Sequence, residues 1–389
     1  MLRGIAVTSV VFYHVSDRLF PSGYLGVDVF FVISGYVVTP MILRIFEVSS
    51  IKNARKLVWR NLINFYTRRF FRLAPAMLIT LLLSIILIFI FAPVSDHSSF
   101  ARQGLATLLL VGNFGAFFNT GDYFQPNPNP LIHTWSLSVE EQIFLFLPLI
   151  AIFIIKKFIN LRKKLILIYL NLGIISLIAS AYIKPLASFS LGDEFLYYSP
   201  LTHIWQFTLG GLVNLVVFKK FYSLKPDFIN QIRFVLVFII LFLTFSSISL
   251  GWNIGSKVSS IVTASIIIFK GCNILPRFVF KSLLWIGDRS YSIYLIHMPL
   301  IYLATYSDIF EIRGSADKEF QKGIAVLLTI LISNIMYFLV ENRFRDSNTI
   351  MISNTKANFS RWGGMLIVNS MFSCFRFRFQ NSLLGFNTN

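Results

Sequence analysis

Long apolar segments separated by basic connections dominate this sequence of 389 residues. A run of roughly 20 mostly apolar residues is long enough to cross the hydrocarbon core of a bilayer as a helix. Backbone groups in lipid must satisfy one another, so runs of this kind predict helices and an all-α polytopic membrane protein. Ten segments reach or approach that length, at residues 4–16, 25–43, 74–93, 139–155, 165–183, 201–218, 234–250, 258–269, 283–304 and 323–340.

The composition and the placement of charge agree with a membrane protein. Hydrophobic residues make up 56% of the chain and charged residues 13%, against about 45–50% and about 25% in soluble domains. The net charge of +18 suits a nucleic-acid partner only if the basic residues share one face. Instead, Lys and Arg number eight, five, four and three in the connections after the second, fourth, sixth and eighth segments. Basic loops mark the cytoplasmic side, which predicts ten helices with both termini in the cytoplasm and no nucleic-acid partner.

The domain organisation follows from the same pattern. We predict one membrane domain over residues 1–345 and a cytoplasmic tail of unknown order over residues 346–389, which contain no apolar run of spanning length. The longest outer connection, about residues 94–138, is predicted to be a shaped connection and not a separate domain.

The first segment carries two ionisable residues, Arg3 and His14. Eleven residues separate them, so on a helix they differ by only about 20° in azimuth and about 16 Å along the axis. Ionisable groups within spans are costly and are functional candidates by default. Histidine suits general base catalysis near neutral pH. The alternative is that Arg3 marks the cytoplasmic side and His14 lies at the outer interface.

Two further helices bring polar groups to the outer depth predicted for His14. Asp28 follows the start of the second segment, where it either orients the imidazole or compensates the helix dipole. The entrance to the fourth segment either joins the same site or caps its helix. This entrance contributes four candidates, His133, Trp135, Glu140 and Glu141.

The cytoplasmic side carries an arginine cluster before the third segment, formed by Arg68, Arg69 and Arg72. Guanidinium groups pair with phosphates in a bidentate manner, so the cluster is a candidate phosphate site. Charge topology or contact with anionic lipid explains the cluster equally well. We expect the third helix to start near Pro75.

The ninth segment contains a polar face within an apolar helix. Ser290, Tyr294 and His297 fall on one side by helical spacing. Arg289 is a cation that needs a partner if it is buried. The five histidines of the chain have no metal-ligand spacing, so a metal site is not expected.

Five motifs occur in order along the chain, and together they resemble the integral membrane acyltransferase family 3. They are LRGIAVTSVVFYH, GYLGVDVFFVISGY, RRFFRLAPA, HTWSLSVEEQIFLFLPL and WIGDRSYSIYLIHMPL. The resemblance, over about residues 2–345, implies a ten-helix domain in the bacterial cytoplasmic (inner) membrane that O-acylates surface glycans from cytoplasmic acyl-CoA, most often acetyl-CoA. It implies acceptors such as lipopolysaccharide O-antigen or exopolysaccharide.

The resemblance also implies roles for individual residues. His14 would be the essential histidine, acting with Arg3, Asp28 and Glu140, and the acyl-CoA would lie on the arginine cluster. The last motif places its serine, tyrosine and histidine positions on Ser290, Tyr291, Tyr294 and His297. Some relatives carry an extracytoplasmic hydrolase-like domain, which residues 346–389 are too few to form.

The predicted mechanism is transfer of an acyl group to a sugar hydroxyl with His14 as general base. It proceeds either directly or through an acylated protein group. An alternative of another class is a polytopic transporter or flippase of a lipid-linked saccharide, which would show interrupted helices in paired halves. A non-catalytic scaffold would leave the buried charges unexplained.

Overall fold

The apolar segments form helices in the computed structural model, which describes residues 1–46, 54–120, 129–155, 160–186, 193–216, 225–246, 252–269, 275–306 and 315–344. Within these ranges no strand is present. The helices are α1 (Leu2–Val15), α2 (Gly26–Ile45), α3 (Ala54–Phe91), α4 (Val94–Leu108), α5 (Gly112–Gly115), α6 (Trp135–Ile154), α7 (Leu161–Leu186), α8 (Asp193–Tyr198), α9 (Pro200–Leu215), α10 (Pro226–Phe245), α11 (Trp252–Ile268), α12 (Arg277–Asp288), α13 (Ser290–Tyr306) and α14 (Ser315–Met336).

Six of the described helical stretches are long and apolar enough to cross a membrane. They are Gly23–Ile45, Ala54–Phe91, Ile132–Ile154, Leu161–Ala181, Asp227–Phe245 and Phe320–Phe344. Large apolar side chains such as Phe89 and Leu327 are more than half exposed on the outside of the bundle, as contact with lipid requires. The chain is therefore an all-helical, multi-pass membrane protein. Ten crossings and cytoplasmic termini stay predictions, and the predicted tail lies outside the described residues.

The third helix is longer than predicted. We expected a start near Pro75, but α3 is continuous from Ala54 and contains Pro75 in its interior, so that expectation was wrong. The segment before the proline is rich in arginine and leucine, which are good helix formers. Proline removes one backbone hydrogen bond, a loss that a helix of 38 residues tolerates. The arginine cluster therefore lies on a helix and not in a loop.

The ninth predicted segment, 283–304, is two helices instead of one. α12 ends at Asp288 and α13 begins at Ser290, with Arg289 between them at φ −97° and ψ 4°. The Arg289 guanidinium donates from Nη1 to the Trp285 carbonyl at 3.1 Å. A cationic side chain satisfies the last carbonyls of a helix well, so the break is stabilised by the residue that makes it.

The connection predicted over residues 94–138 is described at 94–120 and 129–138, and these parts contain the helices α4 and α5 and the start of α6. The Thr107 and Thr134 hydroxyls lie 2.7 Å apart, and the Gly112 amide donates to Ser138 Oγ at 2.9 Å. These bonds tie the connection to the start of α6. They hold in place the segment that carries His133 and Trp135.

Helices α2 and α9 cross with their backbones in contact. A Cβ atom added at Gly35 would overlap the carbonyl oxygen of Phe207, and one added at Gly210 would overlap that of Val32. Small residues at a crossing allow helices in a membrane to approach this closely. The crossing holds α2, the helix that carries Asp28 and Ser34, against α9.

Candidate active site

A cavity of about 540 Å³ opens among helices α2, α3, α6 and α13. Arginines line part of it, with Arg44 on α2, Arg68 and Arg72 on α3, and Arg3 on α1. Arg44, Arg68 and Arg72 are exposed, so an anion that enters the cavity can reach their guanidinium groups. The structure therefore places all three predicted phosphate-binding arginines at the cavity, where Arg68 and Arg72 are exposed and Arg69 is half-buried.

Arg44 is a cavity residue that sequence reasoning missed, because we counted it only as a marker of the cytoplasmic side. It lies in the last turn of α2. Asn61 of α3 donates from Nδ2 to the Ile45 carbonyl at 3.2 Å, which holds the end of α2 beside α3. The sequence signal available was the position of Arg44 at the predicted cytoplasmic end of a helix whose other end carries Asp28.

Arg69, the third arginine of the predicted cluster, is paired with acidic residues. Its Nε donates to Glu141 Oε2 at 2.9 Å and its Nη2 to Glu141 Oε1 at 2.5 Å, while Glu140 Oε1 lies 3.5 Å from Nη2. Its guanidinium carbon lies 3.2 Å from the centre of the Phe144 ring. Ser34 of α2 donates to Glu140 at 2.7 Å. We predicted Glu140 and Glu141 at the depth of His14, opposite the arginine cluster, and this was wrong: their carboxylates pair with the Arg69 guanidinium in one cluster that joins α2, α3 and α6.

The start of α1 contacts the start of α13 at the same cavity. Arg3 donates from Nε to Ser290 Oγ at 3.0 Å, and its guanidinium carbon lies 5.9 Å from the Phe30 ring. The Tyr291 hydroxyl donates to the Leu73 carbonyl at 3.0 Å, which ties α13 to α3. The structure therefore brings together Arg3 and Ser290, which are 287 residues apart in the sequence.

Tyr294 forms the wall at one end of the cavity. Its hydroxyl donates to the His133 carbonyl at 2.9 Å and lies 2.7 Å from the Ser136 hydroxyl. Phe30 packs against it edge to face, with ring centroids 6.2 Å apart. Tyr294 and Ser136 both line the cavity and are almost fully buried.

Three histidines cluster directly behind that wall. The His297 ring centroid lies 5.3 Å from that of His14 and 5.0 Å from that of His133. Tyr294 contacts both His133 and His297, at 5.4 and 5.5 Å between centroids. The structure thus places His297 beside both His14 and His133. Convergence at one depth was predicted for His14 and the start of the fourth segment, and His297 was not part of that prediction.

The hydrogen bonds of His297 define which of its ring nitrogens carries the proton. Nδ1 lies 2.7 Å from the Tyr294 carbonyl, which can only accept, so Nδ1 is the donor. Nε2 is buried and has no hydrogen-bond partner among the described residues. The His133 ring lies beside backbone groups of Pro130 and Leu295. His297 Nε2 can therefore accept a hydrogen bond from a polar group.

Asp28 lies in a separate polar network. Its Oδ1 accepts from Gln206 Nε2 at 2.5 Å and from Ser256 Oγ at 2.8 Å. Gln206 Oε1 in turn lies 3.2 Å from His203 Nδ1. In the described residues the structure pairs Asp28 with α9 and α11 and not with His14. Its predicted orienting role has no contact to support it.

Two other candidates lie away from the cavity wall. Arg289 donates to Asn334 Oδ1 at 2.8 Å and stacks on Trp285, 4.1 Å from the ring centre, so an amide and an aromatic ring serve as partners of this buried cation. Trp135 packs against Tyr197 in the core, at 4.7 Å between ring centroids. Arg289 is best read as a structural residue at the α12–α13 break, and Trp135 as a core anchor beside His133.

The arrangement as a whole combines an anion-binding end, a polar wall and a group of imidazoles. An anionic molecule held by the arginines would extend its far end toward Tyr294 and, behind it, toward the histidines. Within the described ranges, no three His, Cys, Asp or Glu residues are placed to hold a metal ion. The arrangement suits acid–base chemistry on a molecule with an anionic head and a reactive tail.

The chain belongs to the membrane acyltransferase family, since the family model described as an acyltransferase domain matches residues 1–340. The resemblance drawn from the five motifs is thereby confirmed. Among curated proteins, the chain is 30% identical over 357 residues to O-acetyltransferase OatA of Staphylococcus aureus, a match that covers 88% of this chain. It is 27% identical over 364 residues, or 90% of this chain, to peptidoglycan O-acetyltransferase OatA of Listeria monocytogenes.

The matched region is only part of these relatives. The chain spans 56% of the length of each of the two. No solved structure matches the chain significantly.

Proposed function

We propose that this chain is an O-acetyltransferase of the bacterial cytoplasmic membrane that moves an acetyl group from cytoplasmic acetyl-CoA to a hydroxyl of a cell-envelope glycan. One observation carries the proposal: the cavity extends from exposed arginines to a single tyrosine ring, with three histidines behind that ring. Family membership and the names of both relatives support the acetyl group and the transfer to oxygen.

The donor would bind with its phosphates at the arginine end. Arg68 and Arg72 were expected there, and Arg44 joins them at the same cavity. Arg69 is a weaker candidate because its guanidinium is already used by Glu141 and Phe144. Since basic residues mark the cytoplasmic side, this end would face the cytoplasm, where acyl-CoA is made.

The chemistry would take place at the histidine cluster with His14 as general base. A sugar hydroxyl gives its proton to His14 while its oxygen attacks the thioester carbonyl carbon, forming a C–O bond. The C–S bond then breaks, and the proton on His14 passes to the sulfur to give free CoA. Binding both reactants in this geometry replaces an encounter in solution, which is a large part of the rate gain available to such a reaction.

The acceptor is the part of the proposal that the sequence leaves most open. We expected lipopolysaccharide O-antigen or exopolysaccharide, whereas one relative is named a peptidoglycan O-acetyltransferase. The names of the relatives therefore favour peptidoglycan as the first glycan to test, and they give no support to O-antigen.

The test is mass spectrometry of peptidoglycan fragments and of surface polysaccharide from cells with the gene intact, deleted or carrying His14→Ala. We expect one base-labile acetyl ester per modified sugar to be lost in both mutants, and the affected glycan identifies the acceptor. His97→Ala is the matched control, because His97 stacks on Phe89 away from the cavity and should leave acetylation unchanged. Full acetylation with a folded His14→Ala protein would contradict the catalytic assignment.

The same experiment separates transfer from transport. If deletion removes the entire polysaccharide from the surface while its precursor accumulates inside, the transporter or flippase interpretation is correct and the acetyltransferase proposal fails.

A further inference from the structure

The hydroxyl pair of Ser136 and Tyr294 is the polar feature of the cavity that lies against the histidine cluster. Ser136 comes from the first turn of α6 and Tyr294 from the middle of α13. Their oxygens lie 2.7 Å apart, and both side chains are buried yet line the cavity. Tyr294 in addition contacts His133 and His297 through its ring.

The two hydroxyls can together donate a hydrogen bond to a ligand. Two hydroxyls carry two protons, and one proton lies between the two oxygens. The other goes to the His133 carbonyl, which lies 2.9 Å from the Tyr294 oxygen and 3.5 Å from the Ser136 oxygen. A carbonyl oxygen arriving from the cavity can compete with the His133 carbonyl for this second proton.

The other polar groups near this wall are less suited to a carbonyl. Glu140, one turn along α6 from Ser136, is a carboxylate that already accepts from Ser34 and lies beside Arg69. Arg3 lies beside Ser290, one turn from Tyr294 along α13 and about 6 Å farther from the histidines. The Ser34 and Tyr291 hydroxyls also line the cavity, but they already donate to Glu140 and to the Leu73 carbonyl. Phe30 packs against the Tyr294 ring.

We infer that the Ser136–Tyr294 hydroxyl pair binds the thioester carbonyl oxygen of the donor and donates to the oxyanion that forms on it. This inference rests on the proposed function and adds catalytic residues to it. When the acceptor oxygen attacks the carbonyl carbon, the π electrons of the carbonyl move to its oxygen. The two hydroxyls then stabilise the negative charge on that oxygen by hydrogen bonding. When the C–S bond breaks, the electrons return to re-form the carbonyl of the new ester.

The expected kinetic signature is a loss of turnover with little loss of donor affinity. Removing one donor from an oxyanion site typically lowers kcat by about 100- to 1000-fold. Tyr294→Phe keeps the ring that packs on Phe30 and the histidines, so we expect kcat to fall by about that factor while KM for acetyl-CoA stays within about threefold. Tyr302→Phe on the same helix is the control, since its hydroxyl bonds Asp96 outside the cavity.

The decisive measurement is spectroscopic and needs no acceptor. Acetyl-CoA with an isotope-labelled thioester carbonyl is bound to the full chain carrying His14→Ala, which stops transfer, and the carbonyl stretch is recorded by isotope-edited infrared spectroscopy. We expect a band at lower frequency than in free acetyl-CoA. Part of that shift should be lost on adding Tyr294→Phe, and part on adding Ser136→Ala.

The outcomes separate this inference from the proposed function. Binding with the same band in all three variants overturns the carbonyl role alone. Absence of acetyl-CoA binding to the folded protein overturns the donor site and this inference together. Should Tyr294→Phe fail to fold, Ser136→Ala reports on the same pair, and a band at the same frequency as in the His14→Ala protein contradicts the inference equally.

Discussion

Arg69 of α3 donates two parallel hydrogen bonds to the Glu141 carboxylate of α6, from Nε at 2.9 Å and from Nη2 at 2.5 Å. The same guanidinium stacks on Phe144, one turn farther along α6. A guanidinium with one edge on a carboxylate and one face on an aromatic ring has less to offer a phosphate than a free one. Arg69 therefore holds α3 against α6 at the cavity, whereas Arg68 and Arg72 line the cavity as exposed side chains.

Arg69→Gln should weaken the fold more than it weakens donor binding. The side chains of the ion pair are about four-fifths buried. Its loss should therefore lower the free energy of unfolding by roughly 1–3 kcal/mol, between the values for exposed and for buried pairs. Thermal unfolding of the protein in lipid nanodiscs measures the effect. Glu141→Gln should lower the melting temperature similarly, and the double variant should be less than additive. An unchanged melting temperature combined with a raised KM would instead make Arg69 a phosphate ligand.

Arg44→Gln and Arg68→Gln should each raise KM for acetyl-CoA by about tenfold, because each removes one charge-assisted hydrogen bond to a phosphate. S-acetylpantetheine lacks phosphates, so its KM should hardly change in either variant. Arg60→Gln is the matched control, an exposed arginine on α3 that does not line the cavity. If the KM values of acetyl-CoA and S-acetylpantetheine rise equally, the arginines maintain the shape of the cavity and do not bind the phosphates.

Asp28→Asn should retain most activity, within about threefold of the unmodified chain. The acceptor oxygen that serves Gln206 and Ser256 is preserved in asparagine, and only the charge is lost. Asp28→Ala removes the acceptor that both donors share, although Gln206 Nε2 keeps its bond to Ser256 Oγ at 2.9 Å, and it should destabilise the protein by about 1–3 kcal/mol. Rates of acetylation and melting temperatures distinguish the two effects. An inactive but stable Asp28→Asn protein would show that the carboxylate charge acts on His14 after all.

Gly35→Ala should greatly reduce the amount of folded protein in the membrane. The added methyl group would overlap the Phe207 carbonyl, and backbone cannot move aside as a side chain can. Gly323→Ala on α14 is the control, because no atom lies within 4 Å of its added Cβ. That change should be neutral or stabilise the helix by up to about 1 kcal/mol. Equal yields of the two variants would contradict the close crossing.

The sequence predicted well those features that a single helix encodes. Helical spacing placed Ser290, Tyr294 and His297 on one face, and the structure brings all three to the cavity or to the cluster behind it. The convergence of His14 with His133 was expected from topology, because the Lys and Arg pattern sets which helix ends lie at one depth.

Features that depend on partners distant in the chain were not predictable in the same way. Gln206 and Ser256 hold Asp28 across 178 and 228 residues, and nothing near Asp28 indicates them. The arginine cluster was treated as one unit, although the helical rotation between Arg68 and Arg69 turns one toward the opening and the other toward Glu141. Periodicity gives the face of a helix, but only packing shows what that face meets.

The contact between the backbones of α2 and α9 has a consequence for how the two substrates meet. Helices slide past one another by repacking side chains, and at Gly35 and Gly210 there are none to repack. We therefore expect Ser34 and Arg44, both carried by α2, to keep constant heights relative to α9 throughout turnover. If the proposed transfer takes place in this cavity, the barrier between the two compartments would be stationary, and only the acetyl group would cross it.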